Sequence, residues 1–162
     1  MAVRDLLLGR SPGRSVLRGL IIGLLLLAGS QYLLVPVRSH GISMLPTYGE
    51  GQLLLVNRLA YRFASPKRGD VVAITLPGGQ AVLVKRVIGL PGERIRIVNG
   101  QVFVNDVPLP EPYVRYRRPW AIRQTQLGAD ELFVVGDNRS MPEHLHDFGR
   151  VPLSRVLGRL LY

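Results

Sequence analysis

Between residues 19 and 37 the chain carries no charge and is dominated by Leu and Ile, with Gly23, Gly29, Ser30, Gln31 and Pro36 as weak interruptions. A run of this length approaches the roughly 20 residues with which a helix crosses a bilayer core. Arg4, Arg10, Arg14 and Arg18 precede it, with Asp5 alone opposing them. The positive-inside rule then predicts a basic cytoplasmic tail at 1–18, a single transmembrane anchor at 19–37 and an extracytoplasmic domain at 38–162. A removable secretory signal is the competing reading, because Ala28-Gly29-Ser30 offers small residues where a cleavage site belongs. The apolar run continues past that point through Tyr32-Leu33-Leu34-Val35, which favours a retained anchor.

Beyond Val37 the pattern changes to short runs rich in Val, Leu and Ile, bounded by turn residues. Strands are expected at 52–57, 70–76, 80–88 and 131–135, with Pro77-Gly78-Gly79 turning the chain between the second and third. Residues 94–105 read as a hairpin, since Asn99-Gly100 suits a two-residue loop in which both positions need positive φ. That loop sets Ile97 opposite Val102 and Ile95 opposite Val104 on one face, with Arg96 opposite Phe103 on the other. Four prolines make 106–130 irregular connection or edge structure. The prediction is a mainly β domain behind one helix.

Charge narrows the partners. Lys and Arg number 21 against 11 Asp and Glu, a net charge of +10, which points to an anionic partner such as nucleic acid or a lipid surface. Arg115-Tyr116-Arg117-Arg118-Pro119-Trp120 mixes cations with aromatics, a pattern that also suits nucleic acid. On a domain outside the membrane, a lipid surface is the preferred partner and no nucleic acid is expected. Tyr113, Tyr116 and Trp120 would then sit at headgroup level while the arginines meet anionic lipid. The absence of cysteine excludes disulfides and thiolate catalysis.

Candidate chemistry centres on Ser43 and Lys85. A serine hydroxyl attacks an amide only when a base removes its proton, and a lysine serves as that base only when neutral. Strand alternation places Lys85 on one face between Leu83 and Val87, where desolvation lowers the pKa of an amine. The plain alternatives are a lysine that snorkels to water and a serine that merely makes a turn between Gly41 and Pro46. His40, His144 and His146 leave a Ser-His-Asp arrangement open, although no Gly-x-Ser-x-Gly surrounds Ser43. His144 and His146, flanked by Glu143 and Asp147, would share one side of a strand, which is a weak signal for a metal.

Three segments, Gly41-Ile-Ser43-Met-Leu-Pro-Thr47, Val84-Lys-Arg-Val-Ile-Gly-Leu-Pro-Gly-Glu93 and Gly136-Asp-Asn-Arg139, resemble the signature segments of type I signal peptidases, in that family's order. The resemblance implies a compact signal-peptidase or LexA-like β domain held at a cell membrane. It implies a serine endopeptidase that removes signal peptides from exported precursors after a small-x-small site, with no cofactor or metal. Ser43 would be the nucleophile and Lys85 the general base. The oxyanion would be held by the Ser43 backbone N–H, with Gly41 standing where some relatives carry a helping hydroxyl. Met44 and Leu83 match apolar positions that line the pocket for the residue before the cut. Signal peptides and membrane lipid are the implied partners.

A LexA-like self-cleaving protein shares the Ser–Lys chemistry, but it would carry a DNA-binding front end where this chain has its apolar run. The third segment departs from the family pattern. Pro142 stands in place of a serine that would orient the lysine amine. His144-Leu145-His146 replaces an Asp-Ser-Arg run whose Asp and Arg would pair. His146 is a candidate for the missing cation and Asp147 for the missing carboxylate. The departure keeps open the alternative of a weakened or lapsed membrane-tethered β module that binds precursors or lipid.

Overall fold

A computed structural model describes residues 12–78 and 81–161, which divide into two compact units at Leu34/Val35. The first is a helix, α1 (Pro12–Leu33). Pro12 suits a first helical position, where its fixed φ is already helical and its missing N–H has no bond to lose. The helix takes in residues 12–18 of the basic stretch, while 1–11 lie outside the described residues.

The helix also ends earlier than the apolar run. Pro36 has no amide to donate and biases Val35 away from helical geometry, so the chain turns into a strand at Leu34. The expected span at 19–37 is corrected accordingly. Its helical part, 19–33, rises about 22 Å at 1.5 Å per residue, short of the ~30 Å hydrocarbon core. Among the described residues, no helix is long and apolar enough to cross a membrane.

The second unit is mainly β, as expected. Its strands are β1 (Leu34–Arg38), β2 (Leu53–Asn57), β3 (Val71–Thr75), β4 (Val82–Gly89), β5 (Arg94–Val98), β6 (Gln101–Val104), β7 (Val107–Pro108), β8 (Ile122–Gln126), β9 (Glu131–Val135), β10 (Gly149–Pro152) and β11 (Val156–Leu161). One sheet has the order β1-β2-β11-β3-β4-β9-β10, the other β7-β6-β5-β8. The hairpin forms in the predicted register, Ile95 opposite Val104, Arg96 opposite Phe103 and Ile97 opposite Val102. Its turn residues have φ of 47° at Asn99 and 78° at Gly100. Gly79 and Gln80, part of the expected turn and strand, fall outside the described residues.

The larger sheet is apolar on both sides. On β3, Val71 and Ala73 join one cluster with Leu54, Val56 and Val84, while Val72 and Ile74 join another with Val87 and Leu132. Such two-sided burial explains why β3 and β4 read as nearly continuous apolar runs rather than clean alternations. β11, which sequence patterning did not single out, lies between β2 and β3. Gly158 interrupts its pattern at a bulge, where any Cβ would collide with the Asn57 carbonyl.

The proline-rich segment supplies edges to the smaller sheet, through β7 and β8. It also overturns the headgroup expectation for two aromatics. Trp120 is buried with Ile88, Ile95 and Phe133, stacks on Phe148 at 5.5 Å and donates its Nε1–H to the Met141 carbonyl at 3.0 Å. The ring of Tyr113 lies 4.1 Å beneath the Arg86 guanidinium. Tyr116 alone of the three is largely exposed. A segment with few backbone bonds of its own is held by burying its large rings.

Gly158→Ala is expected to destabilise the β domain by at least ~2 kcal/mol, because the collision is with backbone and cannot relax by a rotamer change. Urea unfolding of the two proteins side by side measures it.

Candidate active site

Ser43 sits in the loop between β1 and β2. The loop is closed at its base by Ser39 N–H donating to the Gln52 carbonyl and Gly51 N–H to the Ser39 carbonyl, each at 2.9 Å. Buried Met44 and Tyr48 pin its interior. Gly41 has φ +79°, a left-handed conformation that disfavours any side chain, which accounts for a glycine there.

Lys85 projects from β4, between β3 and β9, and is only 2% exposed. Its Nζ lies 2.8 Å from Ser43 Oγ in a hydrogen bond. Burial pulls the amine down from 10.5 to about 8, and the carboxylate of Asp147 opposes part of that shift. Lys85 therefore gives up its proton much nearer neutrality than a solvated amine does. With the amine neutral, the same hydrogen bond can run from the Ser43 hydroxyl to Nζ.

The exit of β9 locks this pair in place. Asn138 donates its backbone N–H to the Ser43 carbonyl at 2.9 Å and its side-chain amide to the Ile42 carbonyl at 3.0 Å. Asp137, fully buried, accepts Arg86 Nε at 2.8 Å and Nη2 at 2.6 Å, and also accepts the Thr47 hydroxyl. Beside the pair runs a groove of about 540 Å³, lined by Gly41, Ser43, Met44 and Leu83 together with Val82 and Val84. The structure thus brings the predicted pocket residues together next to the Ser43–Lys85 pair.

The family model described as "Signal peptidase, peptidase S26" matches residues 13–162. The chain belongs to this family. It is 34% identical over 125 residues to "Signal peptidase I" of Leptolyngbya laminosa, covering 72% of this chain and 62% of that protein. It is 31% identical over 156 residues to "Signal peptidase I V" of Bacillus subtilis (strain 168), covering 88% and 92%. A crystal structure of a signal peptidase I from Enterococcus faecalis V583 aligns with a TM-score of 0.50 at 27% identity, over 60% of this chain and 98% of that one. The chain spans about three fifths of the length of the first of these relatives.

Within this S26 domain the departing segment does not behave as the sequence suggested. Glu143–Leu145 is a 3-10 turn rather than a strand, so His144 points to solvent while His146 is buried. Among the described residues no cluster of three His, Asp or Glu could hold a metal. Nor does His146 supply a cation. Its Nε2 accepts the Gly136 N–H at 2.9 Å, and burial, then the nearby positive charges of Lys85 and Arg139, depress its pKa to about 3.

Two buried ion pairs went unassigned at the sequence level, Arg86–Asp137 and Arg139–Glu111, the latter at 2.8 Å. Arg86 did carry a signal. An arginine inside an apolar strand needs a buried acid, because removing one partner of such a pair costs ~3–5 kcal/mol. Glu111 carried none, lying among prolines in a segment without periodicity.

Keeping Lys85 protonated in the folded protein opposes folding by roughly 3 kcal/mol. Because the folded pKa lies below the unfolded one, that cost is present in full below pH 8 and fades between about 8 and 10.5. Lys85→Met is therefore expected to be more stable than the parent at pH 7 by up to roughly this amount, with the gap narrowing by pH 10.5. Denaturant titrations of both proteins across that window test it.

Proposed function

We propose that this chain is a membrane-attached serine endopeptidase that removes signal peptides from exported precursors, with Ser43 as nucleophile and Lys85 as general base. The observation that carries the reading is the 2.8 Å contact between Ser43 Oγ and a buried Lys85 whose pKa has fallen to about 8. Neutral Lys85 takes the hydroxyl proton as Oγ attacks the scissile carbonyl. The resulting ammonium returns that proton to the leaving amine, giving an acyl-enzyme and a free mature N-terminus. Lys85, neutral again, then deprotonates water for deacylation.

The oxyanion rests on the Ser43 backbone N–H, since Gly41 has no hydroxyl to add. A donor of this kind contributes about 10²–10³ in rate, so its alignment by the loop matters. Met44 and Leu83 bound the apolar groove that takes the residue before the cut. Ala or Gly fits such a site and bulk does not, in keeping with small-x-small cleavage.

Membrane attachment is proposed through α1. Leu17, Leu20, Ile21, Leu24 and Leu25 are all about half to two-thirds exposed, an apolar surface that calls for lipid rather than water. Arg18 and the arginines ahead of it favour the cytoplasmic side for the N-terminus, with the β domain outside.

Purified protein incubated with a precursor carrying an Ala-x-Ala site is expected to yield one correctly trimmed product. Ser43→Ala and Lys85→Ala should each lower kcat on the order of 10⁴-fold, and the double variant little further, because the two act as a unit. Lys85→Arg should fail as completely, since a guanidinium stays protonated. For the parent, kcat/KM should fall about tenfold per pH unit below 8 and level off above it. Undiminished cleavage by Ser43→Ala overturns the reading.

Attachment is tested separately, by alkaline extraction of membranes and by protease added outside spheroplasts. The β domain should stay with the membrane fraction and be cut in the exposed 115–118 stretch. A mature chain beginning near Gln31 would instead indicate a removable signal.

A further inference from the structure

We propose that His146 is a positioning residue for the Ser43–Lys85 pair: by accepting the Gly136 amide, its imidazole holds the exit of β9 against the backbone of Ser43. This rests on the dyad reading above and adds to it a residue outside the Ser–Lys pair.

Three consecutive residues leave β9, and each fastens a different part of the site. Gly136 donates to His146 Nε2, Asp137 binds Arg86 and Thr47, and Asn138 binds the carbonyls of Ser43 and Ile42. Gly136 is the tightest point. A Cβ there would collide with the Ser43 carbonyl oxygen and would come within 2.6 Å of His146 Nε2 and 2.7 Å of its Cε1. The imidazole and the Ser43 backbone thus both close on one glycine, leaving no room for a side chain there.

His146 is itself held. Its ring sits edge-on to Trp120 at 5.0 Å and tilted against Phe148 at 6.2 Å. A ring whose Nε2 accepts the Gly136 amide must carry its proton on Nδ1. The buried environment and the charges of Lys85 and Arg139 keep it in that neutral form. A protonated imidazole has no acceptor and would leave a buried amide unpaired, so neutrality is what allows the contact. Displacing Gly136 moves Asn138 with it, and through Asn138 the Ser43 carbonyl. Displacements of about 1 Å at a reacting pair cost on the order of 10²-fold in rate.

Two substitutions separate this role from packing. His146→Phe preserves an aromatic ring between Trp120 and Phe148 but has no acceptor. His146→Gln loses the ring but can bring an amide oxygen to the place of Nε2. On the Ala-x-Ala precursor, His146→Phe should lower kcat on the order of 30- to 100-fold with KM within about threefold, and His146→Gln should stay within about fivefold of the parent. A packing role predicts the reverse order. Nitrogen NMR of the labelled parent protein supplies a readout independent of turnover and of variant folding. His146 should be the neutral Nδ1–H tautomer from pH 8 down to pH 5.

His146→Phe matching the parent, His146→Gln falling below His146→Phe, or a protonated Nε2 at pH 7 each overturns the inference. Failure of the underlying reading looks different, because cleavage would then survive Ser43→Ala whatever stands at position 146.

Discussion

The buried pair of Arg86 and Asp137 ties together the elements on which the site depends. Asp137 leaves β9, Arg86 stands one residue beyond Lys85 on β4, and Thr47 reaches the same carboxylate from the loop that carries Ser43. Arg86 also donates to the Gly69 carbonyl at 2.8 Å, where the chain enters β3. Two charges out of water are costly unless each finds its full set of partners. Here the guanidinium and the carboxylate do so only when two strands and the loop are in register. A shift of any one would strand a charge in an apolar core. The pair therefore acts on geometry more than on net stability, and the position of the Ser43 loop follows from it.

A second constraint works against stability. β4 buries an amine that water would solvate, and the Ser43 hydroxyl and the charge of Asp147 offset the loss in part. The surrounding sheet, apolar on both faces, supplies the hydrophobic stabilisation against which this cost is set. In the proposed mechanism the same desolvation makes the lysine a base near neutral pH. A lysine comfortably hydrated at that position would stabilise the fold and be useless for chemistry.

The segment 142–147 meets Ser43, Lys85 and the β9 exit with groups other than those the resemblance implied. Asp147 acts electrostatically on Lys85 from the end of this segment, and His146 contributes a neutral acceptor where a cation was expected. Arg139 finds its partner in Glu111 of the proline-rich stretch, and its guanidinium sits 5.2 Å above the Trp120 ring. Residues 111, 120, 139 and 146 thus form one buried polar and aromatic group behind the β9 exit. It joins a segment of little regular structure to the site.

Local patterning was enough for the mainly β character and for the 94–105 hairpin and its register, while Ser43 and Lys85 stood out through the segments in which they lie. Each rests on information contained within a few residues: Asn-Gly and its positive φ, strand alternation, and a serine and a lysine set in recognisable segments. The helix was legible too, but its end was not, because Pro36 acts on a run whose hydrophobicity continues past it. β11 escaped notice because a strand in the middle of a sheet can carry a glycine at a bulge when another backbone presses against it. The burial of Trp120, the pairing of Glu111 with Arg139, and the neutral state of His146 were decided by tertiary structure alone. Burial and charge state depend on which distant residues exclude water from a group, and no short window of sequence contains them.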